Sequence, residues 1–119
     1  MVKRILLVED DSQSRRNVAR FLESSGFHVS EAENGEKAVD LIRRIDKFDV
    51  VITDLRMPGM VDGLDVLTCQ NQVSPGTRAI LVTGFGSKEI EGRVNLLGVV
   101  YMEKPLLLQN LLSAVKEMT

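Results

Sequence analysis

The sequence alternates five short apolar runs with longer stretches that have helical periodicity. Unbroken runs such as residues 5–8 and 79–82 are typical of strands that are covered on both faces of a sheet. The stretches between the runs place apolar residues three and four positions apart, as one buried face of a helix requires. Regular alternation of strands and helices favours an α/β fold, in which a parallel sheet carries helices on both of its faces.

The apolar runs and the turn residues between them set the limits of the predicted elements. The predicted strands are residues 5–8, 27–32, 50–52, 79–82 and 99–102. The predicted helices are residues 12–25, 36–45, 63–71, 87–97 and 106–118. The run over residues 27–32 is less apolar than the others, so we expect it at an edge of the sheet.

Length and composition narrow the class of protein. A chain of 119 residues is long enough for one core and too short for two, so we predict a single domain over residues 1–119. The formal net charge of −2 gives no electrostatic reason to expect a nucleic-acid partner. No apolar run approaches the roughly 20 residues that cross a bilayer, and we recognise no signal-peptide cleavage site. Cys69 is the single cysteine, so we expect a reduced, cytoplasmic setting without membrane attachment.

Polar and charged side chains follow four of the five predicted strands, at the point where each strand ends. In an open parallel sheet, ligands bind beyond the carboxyl ends of the strands, where the strand order reverses. We therefore expect these side chains to converge at one edge of the sheet. In strand order they are Glu9, Asp10 and Asp11, then Asp54, then Thr83, then Lys104.

Carboxylates, a hydroxyl and an ammonium group at one edge indicate phosphoryl chemistry supported by a metal ion. Clustered carboxylates repel one another, and a hard divalent cation such as Mg²⁺ relieves that repulsion while it binds phosphate oxygens. A carboxylate can also act as a nucleophile and form an aspartyl phosphate. A lysine and a metal ion then balance the charge of the transferring phosphoryl group. These residues therefore predict a magnesium–phosphoryl site.

Four short motifs lie at the ends of the predicted strands. They are LVEDD at residues 7–11, DLRMPG at residues 54–59, Thr83-Gly84 and Lys104-Pro105. Together they resemble the receiver domains of two-component response regulators, and the resemblance extends over essentially the whole chain. It implies a flavodoxin-like, doubly wound sheet of five parallel strands in the order 2-1-3-4-5, flanked by five helices.

The resemblance implies a role for each residue of the metal site. Asp54 resembles the phosphoacceptor. Asp10 would bind Mg²⁺ directly and Glu9 would bind it through water, whereas Asp11 would be a solvated third acid. The backbone carbonyl of Arg56, two residues after the acceptor, resembles a further metal ligand.

Three further residues resemble the parts of a receiver that read the phosphoryl group. Lys104 resembles the lysine that pairs with the phosphoryl oxygens. Thr83 resembles the switch hydroxyl that moves to bond the phosphate, and Tyr101 resembles the aromatic residue that turns inward with it. From the residues alone, Thr83 could instead only cap a turn, and Tyr101 could instead only pack on a neighbouring strand.

The resemblance also implies partners. A sensor histidine kinase or a phosphotransfer protein would supply the phosphoryl group. An output domain or partner protein would read the face formed by the fourth helix, the fifth strand and the fifth helix. Such a domain catalyses only its own phosphorylation and dephosphorylation, so we expect no separate enzymatic activity. The chain departs from the family pattern at two places: the loop after Pro58 is one residue longer, and the segment between Gly98 and Tyr101 is one residue shorter.

The same residues disagree with three other functions. A flavin-binding electron carrier can share this fold, but acids after the first strand would repel the flavin phosphate. An acyl-phosphate hydrolase would usually place a second acid two residues after the nucleophile, where this chain has Arg56. A degenerate receiver that acts only as a binding module would lack the acceptor, an acid or the lysine, and none is missing. The residues leave open whether the domain acts alone or belongs to a transcription factor or hybrid kinase.

Overall fold

The computed structural model describes residues 2–44, 47–84 and 99–119, and its centre is a five-stranded parallel sheet. The strands are β1 (Arg4–Val8), β2 (His28–Ala32), β3 (Val50–Asp54), β4 (Arg78–Thr83) and β5 (Val100–Glu103). Their order across the sheet is β2-β1-β3-β4-β5, which confirms the predicted 2-1-3-4-5 order and the doubly wound α/β class. The less apolar second strand is at an edge, as predicted.

Helices cover both faces of the sheet. They are α1 (Ser12–Ser24), α2 (Gly35–Arg44), α3 (Gly63–Val73) and α4 (Leu108–Met118). The helix predicted over residues 87–97 lies outside the described residues. The last helix was predicted from residue 106 but begins at Leu108, because Leu107 has an extended backbone at φ −83° and ψ 121°. Within the described residues, no helix is both long enough and apolar enough to cross a membrane.

The core consists of two apolar layers, one on each face of the sheet. Along β1, Leu6 and Val8 point into one layer, whereas Ile5 and Leu7 point into the other. Because both faces are covered, this strand is apolar at every one of these positions. Full burial of one such aliphatic side chain stabilises the fold by about 1.5–3 kcal/mol. The helices contribute Ala38, Ile42, Leu64 and Leu67 to the first layer, and Ala19, Leu22, Leu111 and Val115 to the second.

Two aspartates fix where the helices next to the site begin. Asp11 is the N-cap of α1, and its Oδ1 accepts hydrogen bonds from the backbone N–H groups of Gln13 and Ser14 at 3.0 and 3.2 Å. Asp62 is the N-cap of α3 and forms a capping box with Asp65. Caps of this kind satisfy backbone donors that have no partner inside the helix. Asp11 is exposed, as expected, but it also has this structural role.

The first turn of α3 packs directly on the end of β3. The backbone N–H of Gly63 donates to the carbonyl oxygen of Leu55 at 2.8 Å, which closes the loop between the two elements. A Cβ atom added to Gly63 would lie 2.3 Å from the carbonyl oxygen of Asp54 and 2.9 Å from the Cα of Leu55. The absence of a side chain at Gly63 therefore permits this contact with the strand that carries Asp54.

We expect Gly63→Ala to destabilise the protein. Alanine is a better helix former than glycine by about 1 kcal/mol. The close contact with the backbone of β3 outweighs that gain, and overpacking of this kind costs about 1–3 kcal/mol. The free energy of unfolding, measured by urea titration with circular dichroism, checks the difference. Gly76→Ala is the matched control because an added Cβ there has no neighbour within 4 Å. Equal stability of the two variants would contradict the contact.

Candidate functional site

Three carboxyl groups meet at the carboxyl ends of β1 and β3. Glu9 and Asp10 follow β1, and Asp54 is the last residue of β3. One carboxylate oxygen from each of the three residues lies within 4.8 Å of the others. The strand order reverses here, because β1 has β2 on one side and β3 on the other. This is the position at which open α/β sheets bind their ligands.

Lys104, which follows β5, reaches across to this group of acids. Its Nζ donates to Oδ2 of Asp54 at 2.8 Å and to Oε1 of Glu9 at 3.2 Å. The side chains of Glu9 and Asp54 are only 12% and 11% exposed, whereas that of Lys104 is 40% exposed. Glu9 and Asp54 are therefore shielded from water, which strengthens their attraction to the ammonium group, whereas Asp10 is exposed. We call these four residues, Glu9, Asp10, Asp54 and Lys104, the acid–lysine cluster.

The pKa values in the cluster follow from burial and charge. Burial alone would lower the pKa of Lys104, but hydrogen bonds and charge attraction from Asp54 and Glu9 outweigh it and raise the pKa. Loss of hydration raises the pKa of Asp10, and a hydrogen bond and charge repulsion from Glu9 act in the same direction. A raised pKa means that the ionised form of the carboxyl group is less stable in the protein than it is in water. The cluster therefore favours a further positive charge near Asp10.

The donor set of the cluster suits a hard divalent cation. Glu9, Asp10 and Asp54 offer only carboxylate oxygens, and Mg²⁺ prefers oxygen ligands over nitrogen or sulfur. Three carboxylates and one ammonium group leave a formal charge of −2 in a small volume, which a divalent ion would neutralise. The residues present therefore fit a Mg²⁺ ion.

The other three predicted site residues, Thr83, Tyr101 and Arg56, differ in their position relative to the cluster. Thr83 is buried at the end of β4, and its carbonyl oxygen accepts the backbone N–H of Lys104 at 2.8 Å. Tyr101 is half-buried on β5 and packs against the core layer of α2 and α3. Arg56 is exposed in the loop after β3, two residues beyond Asp54. The structure thus brings Thr83 next to Lys104, while Tyr101 belongs to the core layer.

Arg15 supports the cluster in a way that sequence reasoning missed. Its Nη1 donates to the carbonyl oxygen of Glu9 at 3.0 Å, and its Nε donates to Oε1 of Glu31 at 3.1 Å. Arg16 also pairs with Glu31. The side chain of Arg15 is 15% exposed, so this link between α1, β2 and the end of β1 is largely shielded from water. The only signal in the sequence was a basic residue five positions after Asp10.

We expect Asp10→Asn to stabilise the metal-free protein and to weaken Mg²⁺ binding. The pKa of Asp10 is raised in the folded state, so the folded state binds this proton more tightly than the unfolded state does. Stability therefore falls as the pH rises from the ordinary pKa of 3.8 through the raised value, and the full cost is present at neutral pH. Asparagine removes that cost together with one of the three carboxylates that could hold the ion.

Urea titrations in EDTA at about pH 7 and about pH 3 check the predicted stabilisation. The increase in the free energy of unfolding caused by Asp10→Asn should be smaller at the lower pH. Asp11→Asn is the matched control, because it removes the neighbouring charge and asparagine is an equally good N-cap. A stability gain that is the same at both pH values would contradict the assigned cause.

Comparison with known proteins agrees with this geometry. A family model described as response regulator receiver domain matches residues 5–116. The response regulator receiver protein CpdR of Brucella abortus (strain 2308) is 30% identical over 118 residues, which cover 98% of this chain and 97% of CpdR. Other relatives are longer, and the matches span 22% and 46% of two of them.

Solved structures of receiver domain and response regulator proteins are also similar to this chain. A CheY-like receiver domain protein from Methanospirillum hungatei JF-1 superposes with a TM-score of 0.92 at 30% identity, covering 98% of this chain and 93% of that one. A response regulator from Burkholderia pseudomallei, solved with a phosphorylated aspartic acid, a calcium ion and citrate, has a TM-score of 0.86 at 26% identity, covering 94% of this chain and 65% of that one.

The sheet order and the acid–lysine cluster define an α/β domain of the CheY-like type. With the family match over residues 5–116, the chain belongs to the response regulator receiver domains, which act in phosphorylation-based two-component signalling.

Proposed function

We propose that residues 1–119 form one receiver domain in which Asp54 accepts a phosphoryl group in the presence of Mg²⁺. The observation that carries this proposal is the acid–lysine cluster, in which Lys104 Nζ bonds Asp54 at 2.8 Å and Glu9 at 3.2 Å at the point where strand order reverses. Glu9, Asp10, Asp54 and the carbonyl of Arg56 would hold the metal ion. The Burkholderia pseudomallei relative, with its phosphorylated aspartic acid and calcium ion, supports this assignment.

Asp54 and Lys104 have separate roles in the proposed phosphoryl transfer. A carboxylate oxygen of Asp54 attacks the phosphorus atom of the donor, a P–O bond forms, and the bond between phosphorus and the leaving group breaks. The ammonium of Lys104 balances charge on the phosphoryl oxygens, and its raised pKa keeps it protonated. Bound Mg²⁺ would neutralise the negative charge that donor and acceptor bring together.

The phosphoryl group then changes the surface that partners read. It adds a charge of about −2 and new acceptor oxygens beside Thr83, whose backbone already bonds Lys104. Movement of the Thr83 hydroxyl and the Tyr101 ring would alter the face that includes β5 and α4. A nearly complete switch requires the phosphoryl group to favour the active state by about 5 kcal/mol.

The proposed partners follow from this chemistry. A sensor histidine kinase or a phosphotransfer protein in the cytoplasm donates the phosphoryl group. An output domain or a separate partner protein reads the switched face. The domain itself catalyses only the formation and hydrolysis of its own aspartyl phosphate.

The first test is intact mass after incubation with acetyl phosphate. We expect the wild-type protein to gain one phosphoryl group with Mg²⁺ and none in EDTA, because charge neutralisation dominates such transfers. Asp54→Asn should gain none, since the amide is not a nucleophile of this kind. A metal-dependent gain that persists in Asp54→Asn would place the acceptor elsewhere.

A second test addresses the lysine. Lys104→Met should slow phosphorylation of Asp54 by about tenfold or more, because a preorganised charge next to the transferring group is lost. Lys116→Met, at an exposed lysine in the last turn of α4, is the control and should leave the rate unchanged. The rate of mass gain under equal acetyl phosphate and Mg²⁺ measures both. A Lys104→Met rate equal to that of wild type would exclude the assigned role.

A further inference from the structure

The loop that leads from the acceptor strand to α3 is held by a residue of another helix. This β3–α3 loop, residues 55–62, contains Arg56 and is the loop that is one residue longer than the family pattern. The backbone N–H of Val61 donates to Oε1 of Glu36 at 3.1 Å. Glu36 lies in the first turn of α2, so a single carboxylate connects segments 25 residues apart in the chain.

Two glycines allow the loop to lie directly on the start of α2. Gly59 has φ of +103°, and a Cβ there would lie 2.7 and 2.9 Å from the two carboxylate oxygens of Glu36. A Cβ at Gly35 would lie 2.2 Å from the carbonyl oxygen of Val61. The backbone of the loop at residues 59 and 61 therefore closes around the Glu36 carboxylate: a side chain at residue 35 would clash with the Val61 backbone, and one at residue 59 would displace the carboxylate.

Both partners in this contact are fixed by other interactions. The start of α2 is held by Asn34, whose Oδ1 accepts the backbone N–H of Lys37 at 2.7 Å. The loop is closed at its base by Gly63, and its Met57 and Val61 side chains pack against the core layer of α2 and α3. Glu36 therefore adds a direct bond between the start of α2 and the loop backbone at residue 61.

The anchored loop faces the acidic residues of the cluster. Asp10, Glu36, Pro58 and Gly59 line one open cleft of about 390 Å³, together with Glu33 and Asn34. One side of the cleft is thus the end of β1, which supplies Asp10, and the other is the loop that carries Arg56. A shift of the loop away from α2 would widen this cleft and move the carbonyl of Arg56 relative to Asp10.

We infer that Glu36 is a positioning residue for the proposed metal site: by accepting the Val61 N–H, it holds the β3–α3 loop, which carries Arg56, against the cleft that Asp10 lines. This inference rests on the proposed function, because it requires Mg²⁺ to bind at the cluster. Glu36 acts through the loop backbone and is not itself a ligand. A negative side chain in the first turn of a helix is also favourable for α2 itself.

The test compares Glu36→Ala with Glu36→Gln. Both variants remove one negative charge near the site, but the glutamine oxygen can still accept the Val61 N–H. We expect Glu36→Ala to raise the Kd for Mg²⁺ about three- to tenfold more than Glu36→Gln does, as loss of a hydrogen bond that orients a ligand predicts. Titration calorimetry with MgCl₂ measures the Kd values. Asp40→Ala, one turn further along α2 and paired only with Arg44 among the described residues, is the control and should match wild type within about twofold.

Hydrogen exchange of the Val61 amide gives a second readout that needs neither metal nor phosphate. It should accelerate in Glu36→Ala and stay slow in Glu36→Gln. Equal Mg²⁺ affinities in Glu36→Ala and Glu36→Gln would overturn the inference, because the effect would then come from charge alone. Wild-type protein that binds Mg²⁺ but gains no phosphoryl group would count against phosphorylation of Asp54 and not against metal binding, and the Kd values of the two variants would still decide the inference on Glu36. Wild-type protein that binds no Mg²⁺ would overturn both.

Discussion

Crowding of three carboxyl groups at the carboxyl ends of β1 and β3 is the constraint on which the functional part of the structure depends. Like charges this close repel one another, and the shielding of Glu9 and Asp54 from water makes the repulsion stronger. Lys104 offsets part of it from the end of β5, while loss of hydration, aided by a hydrogen bond and repulsion from Glu9, raises the pKa of Asp10. The charged form of Asp10 is therefore held at a cost in stability, and the net negative charge of the three carboxylates suits a divalent cation.

The rest of the fold supplies the rigidity that keeps these charges together. The strands that carry the acids are covered by an apolar layer on each face, so neither strand end can retreat without exposing aliphatic side chains to water. Polar contacts then orient the loops above the strands. Arg15 holds the carbonyl of Glu9 from α1, and Glu36 holds the β3–α3 loop from α2. The loops after β1 and β3 are thus each held by a helix on a different face of the sheet.

Much of this arrangement follows from the chain alone, because apolar runs locate the strands and the residue after each run must lie at the sheet edge. Glu9, Asp10, Asp54, Thr83 and Lys104 were identified in that way, whereas the strand order came from the resemblance to receiver domains. The contacts of Arg15 with Glu31 and of Glu36 with Val61 were not predicted, since they join residues 16 and 25 positions apart and have no periodic signature. The start of α4 was placed two residues early because Leu106 and Leu107 continue its apolar pattern although they precede the helix, and Leu107 has an extended backbone.

Gly35 lies close to the backbone of Val61, and Gly59 lies close to the carboxylate of Glu36, so the β3–α3 loop and the start of α2 would have to be exchanged together. A chimera that received the β3–α3 loop of another receiver would place a new backbone against the start of α2, where only glycine at residue 35 leaves space for it. Length changes in this loop would therefore have to be accompanied by changes at residues 35 and 36. Among natural relatives, the residues at positions 35 and 36 are therefore expected to vary together with the length of the β3–α3 loop.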